Sequence, residues 1–243
     1  MSGRSDQVLR DVDWSKRFEE LASCSTIPML SKFYETRVVS GDTRLDQVPF
    51  VALDLETTDM NPRKGAIVSI GLVPFSLSRI RVSQARYWVV RPRRDLAEES
   101  VLIHHITHEE LFAAPRFSAV LPELLQALAG RVVVVHYRRI ERPFLDQVCR
   151  RWTGEGLEFP LLDTMTMEAW GLQKYSGFWG RVGHWLGLRR RVSLRLGACR
   201  ERYNLPAYAA HHALTDALAT AELFQAQAAW HLDVADQVRQ WWL

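Results

Sequence analysis

The stretch Phe50-Val51-Ala52-Leu53-Asp54-Leu55-Glu56-Thr57-Thr58 decides how this chain folds. Apolar residues run unbroken into Asp-Leu-Glu, as in a central strand buried on both faces until its solvent-facing end. Residues two apart on a strand leave the same face, so Asp54 and Glu56 project together. Two carboxylates that close repel each other unless a cation lies between them. Hard divalent ions such as Mg2+ take oxygen ligands of this kind. Alone, an Asp-x-Glu at a strand end is commonplace, so the rest of the chain has to decide.

Working outward, residues 66–75 and 85–91 read as second and third strands on short polar links, which predicts an antiparallel meander. Residues 1–48 read as a helical N-terminal extension. Val8, Val12, Phe18, Leu21 and Ala22 recur at helical spacing, a second helix covers 28–36, and 40–43 is turn chemistry. Beyond the meander, helices are predicted at 107–112 and 118–129, the second capped by Ser118 and Gly130. Residues 132–136 form another buried strand. Residues 140–152 form a helix with Pro143 in its first turn. Leu161-Leu162 is a short strand running into a helix cap at Asp163-Thr164. Residues 172–192 are irregular and basic. Helices at about 193–203 and 210–230 complete a main unit of 49–232, followed by a tail at 233–243.

The chain has 243 residues, 47% hydrophobic and 24% charged, which fits one globular α/β unit with an appendage. No apolar run reaches the ~18 residues of a membrane helix, and no secretory h-region opens the chain. Cys24, Cys149 and Cys199 form no Cys-x-x-Cys pair, which argues against a thiolate zinc site and for a reducing cytoplasm. The net charge is only +3, yet 27 of the 31 basic residues are arginines. Arginine suits phosphate, but an arginine-rich codon bias explains the ratio equally well, so charge assigns no partner. Tyr175, Phe178, Trp179, Arg181, Trp185 and Arg189–Arg191 suit base stacking and phosphate pairing, or equally the packing of a helical insert.

Two further acids and one of a pair of histidines belong with Asp54 and Glu56. Glu141 follows the strand at 132–136 by one helical turn, where an acid also favours the macrodipole. Asp146 is its rival, about 140° away around the same helix. Asp216 sits among Ala213, Ala217, Ala219 and Ala221, and a buried carboxylate there needs a partner or a metal. A histidine one turn earlier could take a proton from water, and both His211 and His212 are available.

Together these segments resemble the DEDDh (DnaQ-like) family of 3′–5′ exonucleases, which includes the proofreading ε subunit of bacterial DNA polymerase III. Leu53 to Thr58 is similar to the first motif, Asp-x-Glu-Thr-Thr-Gly, with Asp59 in place of the glycine. Ile103-His104-His105-Ile106-Thr107 resembles a His-Gly-Ile-Thr stretch. His136 to Leu145 is similar to His-Asn-x-x-Phe-Asp-x-x-Phe-Leu, with Tyr137 for asparagine, Ile140 for phenylalanine and Glu141 for aspartate. His211-x-x-x-x-Asp216 matches the third motif and selects His211 over His212.

The resemblance implies a ribonuclease H-like α/β fold: a central mixed five-stranded sheet, three antiparallel strands then parallel ones, flanked by helices. It implies two divalent metal ions, Mg2+ or Mn2+, held by Asp54, Glu56, Glu141 and Asp216, with His211 as general base and Thr57 and Thr58 at the terminal nucleotide. The expected reaction releases nucleoside 5′-monophosphates from single-stranded 3′ ends, DNA in preference to RNA, with a DNA polymerase or repair protein as candidate partner. A weakly active or inactive nucleic-acid- or polymerase-binding module is the alternative. A phosphatase or nucleotide hydrolase of another fold lacks support, because no Gly-x-x-x-x-Gly-Lys loop occurs.

Overall fold

The computed structural model describes residues 12–92, 106–175 and 192–243. Val8, Ile103-His104-His105 and the aromatic and arginine side chains from Tyr175 to Arg191 lie outside the described residues. Helices α1 (Trp14–Cys24) and α2 (Pro28–Glu35) precede strands β1 (Phe50–Thr57), β2 (Ile67–Ser76), β3 (Arg79–Ile80) and β4 (Arg86–Val89). Then come α3 (His108–Ala113), α4 (Phe117–Leu128), β5 (Val132–Val135), α5 (Arg138–Thr153) and β6 (Leu161–Asp163). Helices α6 (Thr164–Tyr175), α7 (Leu196–Arg202) and α8 (Ala213–His231) follow.

The sheet runs β3-β2-β1-β5-β6, with β4 also paired to β2. Strand β1 is antiparallel to β2 and parallel to β5, and β5 is parallel to β6. β3 and β4 lie on the same edge of β2, opposite Phe75–Ser76 and Ser69–Leu72, so they are two pieces of one third strand. The break has a cause in β2. Arg81 N–H donates to the Pro74 carbonyl, but proline has no N–H to return, and the chain leaves the ladder there. Among the described residues the sheet therefore counts six strands, while its layout is the mixed five-strand path expected.

Central position explains composition. Phe50 to Leu53 and Val132 to Val135 are fully buried, with sheet neighbours on both sides and helices above and below. Strand alternation sends Phe50, Ala52, Asp54 and Glu56 to one face, and α8 covers it. Phe224 of α8 packs on Phe50 and Phe75 with ring centroids 5.0 and 5.8 Å apart. Asp216 lies eight residues before Phe224, about 12 Å along the helix axis. It therefore reaches the acidic end of β1 while Phe224 covers the other.

Residues on either side of the main unit share its core. Trp14, Phe18, Leu30, Phe33 and Tyr34 belong to the same buried cluster as the sheet, with Val238, Trp242 and Leu243. The segments 41–46 and 234–239 exchange backbone bonds: Leu45 N–H to Asp236 O, Val238 N–H to Thr43 O and Arg239 N–H to Gly41 O. Leu243 N–H donates to Leu161 O at the edge of β6. Among the described residues no helix is long and apolar enough to cross a membrane.

Three local expectations need correction. α4 begins at Phe117, and its N-cap position is Arg116 with no side-chain cap, so Ser118 lies inside the helix. Gly130 does take the left-handed conformation just past its end, φ +70°. α5 begins at Arg138, which puts Pro143 in its second turn. The last helix starts at Ala213 rather than 210, leaving both histidines outside it.

Candidate active site

The site forms where the end of β1 meets the start of α8. Asp54 pairs in register with Gly71 of β2, and α8 begins directly over that glycine. A Cβ at Gly71 would lie 2.2 Å from the backbone carbon and oxygen of Ala213. Only glycine lets the helix start rest on the strand so closely. This contact sets the height of Asp216. Carboxylate oxygens of Asp54, Glu56 and Asp216 then lie within 4.8 Å of one another.

Electrostatics follow from that crowding. Burial, reinforced by Asp216 and Glu56, pushes the Asp54 carboxyl well above the ordinary carboxylate range. Burial likewise raises Asp216, with Glu56 adding to the rise and the His211 N–H opposing it. Glu141 is 3% exposed and raised well, by burial first and then by Asp54. Its Oε2 has no hydrogen-bond partner. Mutually repelling acids, one with an orphaned buried oxygen, fit a divalent cation with hard oxygen ligands. Glu141 lies close enough to Asp54 to affect it, though outside the 4.8 Å trio.

Glu141 is carried by α5, whose start is secured from elsewhere. The Asp163 carboxylate accepts the N–H groups of Tyr137 (3.0 Å) and Arg138 (3.4 Å), and on its own side Met165 N–H (3.0 Å) and the Thr166 hydroxyl (2.9 Å). One buried acid thus caps two helices. His136 adds a second tie, with Nδ1 at 2.8 Å from the Thr164 hydroxyl and Nε2 at 2.9 Å from Leu194 O. Burial lowers its pKa, favouring the neutral ring. Asp146 serves the outer surface, accepting from Arg150 Nε (3.0 Å) and Leu157 N–H (3.2 Å).

The two histidines have separate surroundings. His212 is the N-cap of α8: its Nδ1 accepts Thr215 N–H at 3.4 Å, and its ring stacks on Tyr87 with centroids 4.7 Å apart. His211 is exposed, has φ +69°, and donates its backbone N–H to Asp216 Oδ2 at 2.9 Å. It borders a cleft of about 1430 Å³ that also reaches Asp54, Asp216, Met60 and Arg195.

Thr57 and Thr58 shape the turn leaving β1. Thr57 Oγ1 donates to Asp59 O at 3.0 Å, and Thr58 Oγ1 accepts Ala66 N–H at 3.0 Å. Sequence reasoning recognised Asp163 as a cap for the helix after it, but missed its second grip on α5. It also missed Gly71. Ile70-Gly71 inside a strand was the available signal, since an internal glycine marks a close approach.

A family model described as RNase T, exonuclease, matches residues 51–224 and so takes in β1, α5 and most of α8. A PolC-type DNA polymerase III of Thermotoga petrophila is 28% identical over 188 residues, 77% of this chain and 12% of that protein. The chain thus corresponds to a small part of that relative. A DNA polymerase III subunit epsilon of Treponema pallidum is 28% identical over 187 residues, covering 76% of this chain and 79% of the other. The solved nuclease domain of 3′hExo, a DEDDh family member bound to rAMP, shares 15% identity with a TM-score of 0.60, covering 78% of this chain and 95% of that one. Its likeness extends to the ribonuclease H-like fold.

Proposed function

The chain belongs to the RNase T exonuclease family, the DEDDh (DnaQ-like) group its motifs resemble, and on that premise we propose that it is a metal-dependent 3′–5′ exonuclease. It cleaves single-stranded 3′ ends, DNA in preference to RNA, releasing nucleoside 5′-monophosphates. One observation carries this reading: three carboxylates within 4.8 Å of one another beside a cleft-facing histidine. Asp54, Glu56, Asp216 and Glu141 would hold two divalent ions, which supply Lewis-acid stabilisation of the phosphoryl and leaving oxygens.

The remaining work falls to the chain's own residues. His211, which lines the cleft, accepts the proton of the attacking water at its imidazole. Its backbone bond to Asp216 keeps the base in step with the carboxylates. Thr57 and Thr58 orient the backbone at which the terminal nucleotide sits.

The preference for DNA and a polymerase or repair partner rest on relatives named as DNA polymerase III subunits. A cytoplasmic setting suits the free Cys24, Cys149 and Cys199. Residues 49–232 make the nuclease unit, with 1–48 an extension and 233–243 a tail. The position of Glu141 outside the carboxylate trio favours one second reading, a weakened enzyme that mainly binds nucleic acid.

The deciding assay offers 3′-free and 3′-blocked DNA and RNA oligonucleotides with Mn2+ or Mg2+. Mononucleotides should appear only from free 3′ ends. Asp54→Ala or Asp216→Ala should lower the rate by about 10³-fold, the scale of losing a central electrostatic group. Full activity in either variant would sink the assignment. Binding without nucleotide release, restored by Glu141→Asp, would favour the second reading.

A further inference from the structure

We propose that Arg200 is a positioning residue for His211, acting through the loop that joins α7 to α8; this rests on the general-base reading above. Residues 203–212 contain no helix or strand, and two of them, Asn204 and His211, have left-handed φ of +55° and +69°. A loop of that kind needs outside support to hold a side chain steady. His212 supplies it at one end through its helix cap and its stack on Tyr87.

Arg200 supplies it at the other end. Its side chain is 3% exposed. Nη1 donates to Ala219 O of α8 at 2.7 Å, and Nη2 donates to Pro206 O of the loop at 2.9 Å and to Glu222 Oε2 of α8 at 2.7 Å. The guanidinium also lies 4.6 Å from the centre of the Tyr208 ring, whose hydroxyl donates to Glu222 Oε1 at 3.0 Å. One planar cation thus bonds the loop backbone, an aromatic ring of the loop and two groups of α8. Its fixed fork of donors suits this task, which a lysine could meet only in part. Arg200 is buried and its partner Glu222 is a quarter exposed, so removing the guanidinium takes the counter-charge from a partly desolvated carboxylate.

Two measurements test this. In metal-free protein, Arg200→Met should speed amide hydrogen exchange in 203–212 by about 10-fold or more, leaving β1 and the middle of α8 protected. In the oligonucleotide assay it should lower kcat on the order of 10- to 100-fold, with KM unchanged, because a 1 Å displacement of a reacting group has that scale. Arg200→Lys should recover part of the loss. In a His211→Ala background, Arg200→Met should cost nothing more, since the two act as one unit.

Additive losses, a raised KM with intact kcat, or unchanged exchange would each overturn the proposal. If Arg200→Met fails to fold, Tyr208→Leu, at a half-exposed position, should give the same pattern in smaller measure. Equal rates for wild type and His211→Ala would sink the general-base reading, and the exchange arm alone would then decide whether Arg200 anchors the loop.

Discussion

Two helix starts meet the acidic end of β1, and they are held in opposite ways. α8 secures itself: His212 caps it, His211 bonds Asp216 in its first turn, and its backbone rests on Gly71. α5 borrows its support. Its N-cap position is Tyr137, with no side-chain cap and a left-handed φ of +92°, and the missing acceptors come from Asp163 on β6. The self-secured start places its acid in a tight carboxylate trio, while the borrowed one presents Glu141 outside it. Three departures from the family motifs, Tyr137, Ile140 and Glu141, lie at the helix start whose support is remote.

The heaviest blow to this contrast is Gly71→Ala. A Cβ would meet backbone rather than a movable side chain, so α8 must lift or β2 must bend. We expect a stability loss of about 3 kcal/mol, read by urea denaturation, and a rate loss of about 10²-fold as Asp216 moves away. A Gly71→Ala variant with normal stability and rate would mean that the contact does not set the site.

Next in its effect on stability is the split between neighbouring histidines. His211→Ala should lose on the order of 10²- to 10⁴-fold in rate with an unchanged melting temperature. His212→Ala should lose about 1 kcal/mol of stability, the worth of a cap, with a smaller effect on rate. Reversed outcomes would transfer the catalytic role to His212 and end the view that α8 caps itself with it.

How much of this could be read from sequence depended on how far apart the interacting residues lie. β1 declares itself, because a buried central strand must be apolar until its end. The His211–Asp216 spacing also sits within one segment, and there the two residues meet through the backbone N–H of His211. By contrast, the broken third strand depends on Pro74 across the ladder, and the hold on α5 on an acid 22 residues after Glu141. The exchanges of 41–46 with 234–239 join opposite ends of the chain and leave no periodic trace. Ser118 misled for a related reason: a hydroxyl is a cap only if the backbone begins there, and Phe117 is drawn into the helix by burial.

A third test concerns charge. Asp54 and Asp216 hold their protons more tightly folded than unfolded, so the folded state binds more protons. Metal-free wild type should therefore lose stability from this site as pH rises from about 4, the ordinary aspartate range, toward 7. Asp54→Asn removes the repulsion, so its melting temperature should exceed wild type at pH 7 by a margin that shrinks toward pH 4. Mn2+ should raise wild type at pH 7 and do little for the variant. A margin independent of pH would show that repulsion among these acids is not what the cation relieves.

The smallest expected effect probes the borrowed start directly. Tyr137 occupies a conformation that costs an ordinary residue about 1 to 2 kcal/mol, while asparagine tolerates it better. Tyr137→Asn should therefore stabilise the protein by up to about 1 kcal/mol, with its N–H still bonded to Asp163. Because Glu141 lies one turn further along the same helix, the variant also asks whether strain at the cap holds that carboxylate out of the trio. A gain in stability with unchanged rate would place the strain in the turn alone. A gain in both would tie the position of Glu141 to residue 137. A loss of stability would mean that the tyrosine ring packs better than its backbone suggests, and that the two helix starts differ less than their dihedral angles imply.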